Sequence, residues 1–214
     1  MTYLIIILVV LLAYLYGCLS TARIVAKTFR SLNIYKVGTG LADTENIYSN
    51  VSKPMGILVG TLDVLKALVF LTVVRYGLYL LANTAVYEDM EKIYSVNTML
   101  IYGLAMLIGH CLPVTNKFQG GRGIFTYIGF VAFFAPVPML ITVLVALVLV
   151  ARYKQIRFAQ YTIVILPVIL TQIFYNFIPY FKKEMPPYFS MIIWGIAIIM
   201  GVLNYLVSKK LGEL

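Results

Sequence analysis

Charge is scarce in this chain. Asp, Glu, Lys and Arg make up 12% of its 214 residues, against 62% hydrophobic residues. A soluble domain of this length cannot bury so much apolar surface, so the composition excludes that class and predicts an integral membrane protein. Acidic residues are fewer than basic ones, 8 against 17, and the net charge is +9. In a membrane chain such an excess is read by the side of the bilayer on which it falls. No basic stripe or recognition motif supports nucleic-acid binding. Cysteine is nearly absent. Cys18 and Cys111 lie in or beside apolar stretches, so a disulfide framework is unsupported and reduced, packed thiols are expected. Positive charge is missing ahead of the first apolar run, where only Met1, Thr2 and Tyr3 stand. The stretch "LYGC", Leu15 to Cys18, therefore lacks the basic start of a cleaved signal, and an uncleaved first helix is expected. Internal repeats, low-complexity tracts and a soluble domain are also missing, so residues 1–214 read as one membrane domain. The inverted repeats or polar channel lining that would favour a transporter are not visible.

What is present is a series of long apolar stretches: Tyr3 to Ala22, Met55 to Ala82, Val96 to Val114, Ile124 to Ala151, Ala159 to Pro179 and Tyr188 to Val207. Each is long enough to cross a hydrocarbon core of about 30 Å. The fourth contains "APVP", Ala135 to Pro138, whose two prolines remove backbone donors. It is either one kinked helix or two short ones. The positive-inside rule discriminates. With seven helices and the N-terminus outside, the cytoplasmic loops hold Arg23, Lys27, Arg30, Lys36, Lys53, Lys117, Arg122, Arg152, Lys154, Arg157, Lys209 and Lys210. The outer loops then hold only Lys92, Lys182 and Lys183, beside the acidic Glu88, Asp89 and Glu91. Six helices give a weaker split of 9 to 6. The expected fold is therefore all-α and polytopic, with seven transmembrane helices and a cytoplasmic C-terminus. The polar segment Arg23 to Pro54 and the turn Thr115 to Gly123 then face the same side and are free to form one site.

Two glycine-rich segments carry the chemical signal. "VGTGLADTEN", Val37 to Asn46, brackets Thr39 with Gly38 and Gly40, as in a loop that holds phosphate on backbone N–H groups. Asp43 and Glu45 follow, and both would repel a phosphate. In "GHCLPVTNKFQGGRGIF", Gly109 to Phe125, Gly120, Gly121 and Gly123 precede an apolar helix, with Arg122 among them and Lys117 just before. A helix N-terminus and an arginine fork make a plausible anion cradle; a flexible re-entry turn is the simpler alternative. His110, the only histidine, could act as a general base or as a donor to phosphate or an oxyanion, or could simply bond a loop carbonyl. Asp63 and Lys66 lie one turn apart at membrane depth, where ionisable groups are functional candidates, and their spacing lets them pair with each other. The basic stretch Arg23, Lys27, Arg30 has helical spacing and suits anionic lipid.

Taken together these segments resemble the bacterial family of acyl-phosphate:glycerol-3-phosphate acyltransferases. The resemblance rests on Gly17, Gly38-Thr39-Gly40, Asn46, Asp63-x-x-Lys66, Gly109-His110-x-x-Pro113-Val114 and Phe118-x-Gly120-Gly121-Arg122-Gly123, and it covers about residues 4 to 153. It implies a multi-pass protein of the plasma (inner) membrane with its active site on the cytoplasmic side. It also implies acyl transfer from acyl phosphate to glycerol 3-phosphate, giving lysophosphatidate for phospholipid synthesis, without metal or cofactor. It places His110, Arg122 and Thr39 in catalysis. Gly38, Gly40, Asn46, Gly120, Gly121, Gly123 and Lys117 are expected around substrate phosphate, with Asp63 and Lys66 in support. The chain departs from the family pattern at Cys18, Leu41, Asp43, Thr44, Glu45, Ser49 and Gln119. One misplaced charge at about 4 Å costs on the order of 4 kcal/mol at an effective dielectric of 20. Asp43 and Glu45 are thus expected either to weaken phosphate binding or to turn outward toward Lys36 or Lys53. A different acceptor, such as a lipid-linked sugar or another polyol, and an inactive paralogue that binds lipid or a protein partner are the other readings.

Overall fold

The computed structural model describes residues 1–84, 89–182 and 184–213, so Glu88 and Lys183 of the charge count lie outside the described residues. The described residues form nine α-helices joined by short 3-10 turns and contain no strand. Six of the helical segments are long and apolar enough to cross a membrane.

Helix α1, Thr2–Gly17, is apolar all round and ends where Cys18 leaves it. Helix α2, Thr21–Arg30, is a separate element. Ser20 caps its start by accepting a bond from the Arg23 N–H at 3.1 Å, and Ser31 ends it in the left-handed region. It buries Ala22, Val25 and Ala26 and exposes Arg23, Lys27 and Arg30. The buried face of α2 joins Ile34, Ala42, Ile47 and Val59 in a small apolar cluster of its own. That cluster fixes the polar segment, including helix α3 (Thr44–Asn50), against the start of α4 (Lys53–Thr84).

Helix α5 is Val96–Cys111, α6 is Ile124–Phe134 and α7 is Pro136–Tyr153. The "APVP" stretch thus divides two helices. Ala135 leaves helical geometry, and Pro136 opens α7 at its first position, where an N–H would have no partner. Pro138 falls in the same unpaired first turn. At 11 residues α6 spans about 16 Å, shorter than the six segments long enough to cross a membrane. Helices α8, Ile156–Phe177, and α9, Phe189–Leu211, complete the bundle.

Helix α1 packs on α5, α4 on α6 and α7 on α8. The α1/α5 crossing is backbone against backbone. A Cβ on Gly17 would strike the Met106 carbonyl, and one on Gly109 would strike the Tyr14 carbonyl. Small residues allow this approach in a bundle that lacks a hydrophobic force between helices. Near the crossing, Tyr14 donates its hydroxyl to the Leu112 carbonyl at 2.9 Å and accepts from the Val114 N–H at 3.1 Å, tying the end of α5 to α1. Gly109→Ala is expected to destabilise the protein by about 1–3 kcal/mol, the usual range for overpacking. Gly201→Ala in α9, where a Cβ meets nothing within 4 Å, should be neutral or better. Thermal unfolding of the two variants in the same detergent checks the difference; equal midpoints would remove the argument for a tight crossing.

Candidate functional site

The first glycine segment is a loop moulded around one side chain. Gly38 and Gly40 have φ of 53° and 70°, a region that favours glycine. A Cβ on Gly38 would collide with the amides of Asn46 and Asn50. Asn46 is fully buried. Its Oδ1 accepts from the Thr39 N–H at 3.2 Å and from Asn50 at 3.0 Å. Its Nδ2 donates to the carbonyls of Val37 at 2.9 Å and Leu41 at 2.8 Å. Asn46 therefore holds the loop from inside. The Thr39 hydroxyl accepts from the Leu41 N–H at 3.4 Å, which leaves its own hydrogen free to donate.

The second glycine segment lies directly against the first. The Ala42 N–H donates to the Gly120 carbonyl at 3.3 Å, and the Gly121 N–H to the His110 carbonyl at 3.3 Å. A Cβ at Gly121 would come within 2.7 Å of the Ala42 oxygen and 3.0 Å of His110 Nε2. Gly123, at φ 76°, starts α6 with no room for a Cβ beside the Cys111 sulfur. Both cysteines are buried and free. Lys117 sits on an exposed left-handed turn, apart from the cavity.

His110 is buried at the end of α5. Its Nδ1 lies 3.3 Å from Lys66 Nζ, 3.3 Å from Thr126 Oγ1 and 3.9 Å from Asp63 Oδ1. Lys66 also donates to the carbonyls of Gly17 at 3.3 Å and Leu19 at 2.9 Å. Three donated bonds use all three hydrogens of an ammonium. With Lys66 as an ammonium, Nδ1 of His110 is assigned as the acceptor and the ring hydrogen to Nε2, the nitrogen beside Gly121. The i, i+3 spacing lets Asp63 and Lys66 pair with each other, and equally lets them reach up to order the glycine loops. In the structure each bonds a different element: Asp63 accepts from the Thr21 hydroxyl at 2.6 Å, and Lys66 ties the end of α1 to the imidazole.

Arg122 is 3% exposed. It donates to Ser208 Oγ at 3.0 Å and to Glu213 Oε2 at 2.6 Å. Its backbone carbonyl accepts from Asn204 at 3.2 Å. Its Nε lies 3.8 Å from Asp43 and 3.6 Å from Glu45 without forming a hydrogen bond. Arg157, on α8, holds Glu45 through both guanidinium nitrogens at 2.6 and 2.7 Å and also bonds Glu213. Both loop acids thus face inward onto arginines, and the outward pairing with Lys36 or Lys53 does not occur; those two lysines are exposed. The carboxylates of Asp43, Glu45 and Glu213 outnumber the guanidinium groups of Arg122 and Arg157.

Burial pushes the Asp43 carboxyl up to about 6, with Glu45 adding to the rise; the Asn46 N–H that it caps, and Arg122, pull the other way. Below a pH of about 4 the group is protonated in the folded and the unfolded chain alike. Between about 4 and 6 the folded chain retains a proton that the unfolded chain has lost, so stability falls as pH rises through this window. Asp43→Asn keeps the helix cap and should flatten that fall, seen as a smaller drop in unfolding midpoint from pH 4 to pH 7. An unchanged drop would remove Asp43 as its source.

Asp43, Thr44 and Glu45 at the end of the first segment and Arg122 and Gly123 at the end of the second line a small cavity with Asp63, His110 and Gln160; Gly38, Thr39, Gly40, Asn46, Gly120 and Gly121 lie outside its lining. Three buried polar atoms on its wall have no hydrogen-bond partner: Arg122 Nε, Asp43 Oδ2 and Thr44 Oγ1. Buried polar groups without partners in a cleft mark a place for a polar ligand. Arg157, Ser208 and Glu213 were not among the site residues that the sequence pointed to, and Thr44 entered only as a departure from the family pattern. Arg157 carried a signal there only as one more cytoplasmic charge.

Residues 7–209 match the family model described as glycerol-3-phosphate acyltransferase. A glycerol-3-phosphate acyltransferase of Thermoanaerobacter pseudethanolicus is 31% identical over 170 residues, covering 79% of this chain and 78% of that one. One from Staphylococcus aureus is 31% identical over 173 residues, covering 81% and 82%. A crystal structure of PlsY (YgiH), an integral membrane glycerol 3-phosphate acyltransferase in its glycerol 3-phosphate form, superposes with a TM-score of 0.71 at 23% identity, covering 96% of this chain and 88% of that one.

Proposed function

The chain belongs to the glycerol-3-phosphate acyltransferase family, and on that premise we propose that it moves a fatty acyl group from acyl phosphate to the 1-hydroxyl of glycerol 3-phosphate. The observation that carries this reading is the meeting of the two glycine loops around buried Arg122 and the Nε2 side of His110. Both substrates are phosphate-bearing, and such a wall offers backbone and guanidinium donors to anionic oxygen.

The hydroxyl oxygen of the acceptor bonds to the acyl carbon, and the bond from that carbon to the donor's phosphate oxygen breaks. The hydroxyl proton leaves on the departing phosphate. His110, with Nδ1 accepting from Lys66, serves as a donor: its Nε2–H faces the position of the oxyanion. Lys66 and Asp63 are positioning residues, because they touch the imidazole and the helix ends around it. Arg122 stabilises the charge that builds on phosphate. Thr39 offers its hydroxyl hydrogen to a substrate oxygen. Gly38, Gly40 and Asn46 shape the first loop, and Gly120, Gly121 and Gly123 let the second approach it. Lys117, exposed and apart from the cavity, contributes only long-range charge.

The reading includes seven membrane helices in one domain, with α6 as a short seventh, the N-terminus outside and the site on the cytoplasmic side of the plasma membrane. The split of cytoplasmic and outer basic residues supports this orientation. The excess of carboxylates over guanidinium groups in the pocket favours one second reading, an acceptor of lower charge such as a polyol or lipid-linked sugar. An acceptor panel separates the two. Purified protein with palmitoyl phosphate is offered glycerol 3-phosphate, glycerol and sugar lipids in parallel. The first reading expects lysophosphatidate as the dominant product; acylation of an uncharged acceptor alone would replace it with the second.

A further inference from the structure

Glu213 occupies an unusual place. Its two carboxylate oxygens bridge two arginines, one to Arg122 in the glycine-rich loop before α6 and the other to Arg157 on α8. An anion with several oxygens held between two guanidinium forks is the arrangement by which proteins bind a phosphate monoester. What delivers Glu213 there is a helix cap. Gly212 ends α9 at φ 67°, and the Glu213 N–H folds back to the Ser208 carbonyl at 3.0 Å, a Schellman-type closure. Its side chain and that of Arg157 are 19% and 23% exposed, so solute reaches the bridge, and Arg157 bonds the cavity residue Glu45. Deeper in, Arg122 Nε and the Thr44 hydroxyl have no hydrogen-bond partner.

We propose that Arg122 and Arg157 together form the binding site for a substrate phosphate, and that Glu213 is an internal carboxylate which that phosphate displaces. This rests on the acyl-transfer reading for the identity of the substrate, but the site itself follows from the bridge. Arg157 reaches the cluster from α8, whereas Ser49, one of the positions where the chain departs from the family pattern, is exposed and outside the pocket. Glu45 remains on Arg157 as the fixed counter-charge, and Gln160 bonds Glu45 at 3.0 Å. With Glu213 in place the cluster holds three carboxylates against two arginines. Once it swings out, one face of each guanidinium is free toward a common point. In the empty protein the bridge occupies a guanidinium nitrogen of each arginine, and it selects against ligands too weakly charged to compete with a tethered carboxylate.

The test uses the full chain in detergent, with inorganic phosphate as the probe and isothermal titration as the readout. Glu213→Gln is expected to tighten phosphate about tenfold, and Arg157→Gln to weaken it about tenfold. Arg157→Lys, which keeps the charge but loses the fork, should fall between wild type and Arg157→Gln. Because Arg157→Gln strips Glu45 of its partner, the double variant Arg157→Gln/Glu45→Gln, with matched helix content, repeats the measurement in a neutral setting and should bind as weakly. Unchanged phosphate affinity in Glu213→Gln, or in both Arg157 variants, overturns the proposal. Steady-state assays then assign the ligand: a lower KM for glycerol 3-phosphate in Glu213→Gln places the acceptor's phosphate in the clamp, and a lower KM for palmitoyl phosphate places the donor's. If no acyl transfer occurs at all while Glu213→Gln still tightens phosphate, the clamp stands and the reaction assignment fails.

Discussion

Arg122→Ala is expected to abolish measurable acyl transfer, with a loss in kcat/KM of about a thousandfold or more, and to lower stability by about 3–5 kcal/mol. The two effects share one cause. Arg122 is buried and stands among the carboxylates of Asp43, Glu45 and Glu213. Removing one partner of a buried ion pair costs about 3–5 kcal/mol because the remaining charges lose their compensation. The same guanidinium offers a buried cation at the junction of the two glycine loops, so its loss also removes charge stabilisation for phosphate. Arg122→Lys separates the effects. It keeps the positive charge, and most of the stability should return. A point charge lacks the fork that bonds Ser208 and Glu213 together, so kcat/KM should recover only in part. Full recovery by lysine would show that charge alone, without fork geometry, accounts for the role.

His110→Ala is expected to reduce kcat by about 10²–10³-fold, the usual cost of one oxyanion donor, with KM for glycerol 3-phosphate little changed. The informative variant is His110→Gln. Its amide N–H sits near the place of Nε2–H, while it cannot take up a proton. If His110 donates a hydrogen bond, as the Lys66 contact to Nδ1 dictates, glutamine should restore at least tenfold over alanine. If it acts as a general base, glutamine and alanine should be equally poor. Lys66→Met should resemble His110→Ala in kcat, because without the ammonium the imidazole loses its fixed tautomer and α5 loses a tie to the end of α1.

The membrane helices were legible because each is an unbroken apolar run, and length against bilayer thickness is a strong constraint. The "APVP" break was legible as a pair of prolines, but its outcome depended on backbone geometry. Pro136 is tolerated at the first position of α7, and Ala135 turns away, so two helices result. The meeting of the glycine loops followed from placing both segments on one side of the membrane. The contacts that define the pocket's charge were not legible. Glu45 finds Arg157 across 112 positions of sequence, and Arg157 finds Glu213 across 56. No local spacing rule reaches so far. At Asp63 and Lys66 local spacing left two outcomes open, and the hydroxyl of Thr21, the open carbonyls of Gly17 and Leu19 and the His110 ring take the bonds instead of the i, i+3 pair. Asn46 matched the motif, but what it does needed coordinates: its amide is enclosed by the loop it organises.

The most direct test of this account is lysophosphatidate formation from palmitoyl phosphate and radiolabelled glycerol 3-phosphate by the purified protein in bilayers, side by side with Arg122→Ala and His110→Ala. The account predicts labelled product from the wild type, none above background from Arg122→Ala and a residual trace from His110→Ala. No product from the wild type, or equal product from the wild type and Arg122→Ala, would contradict it.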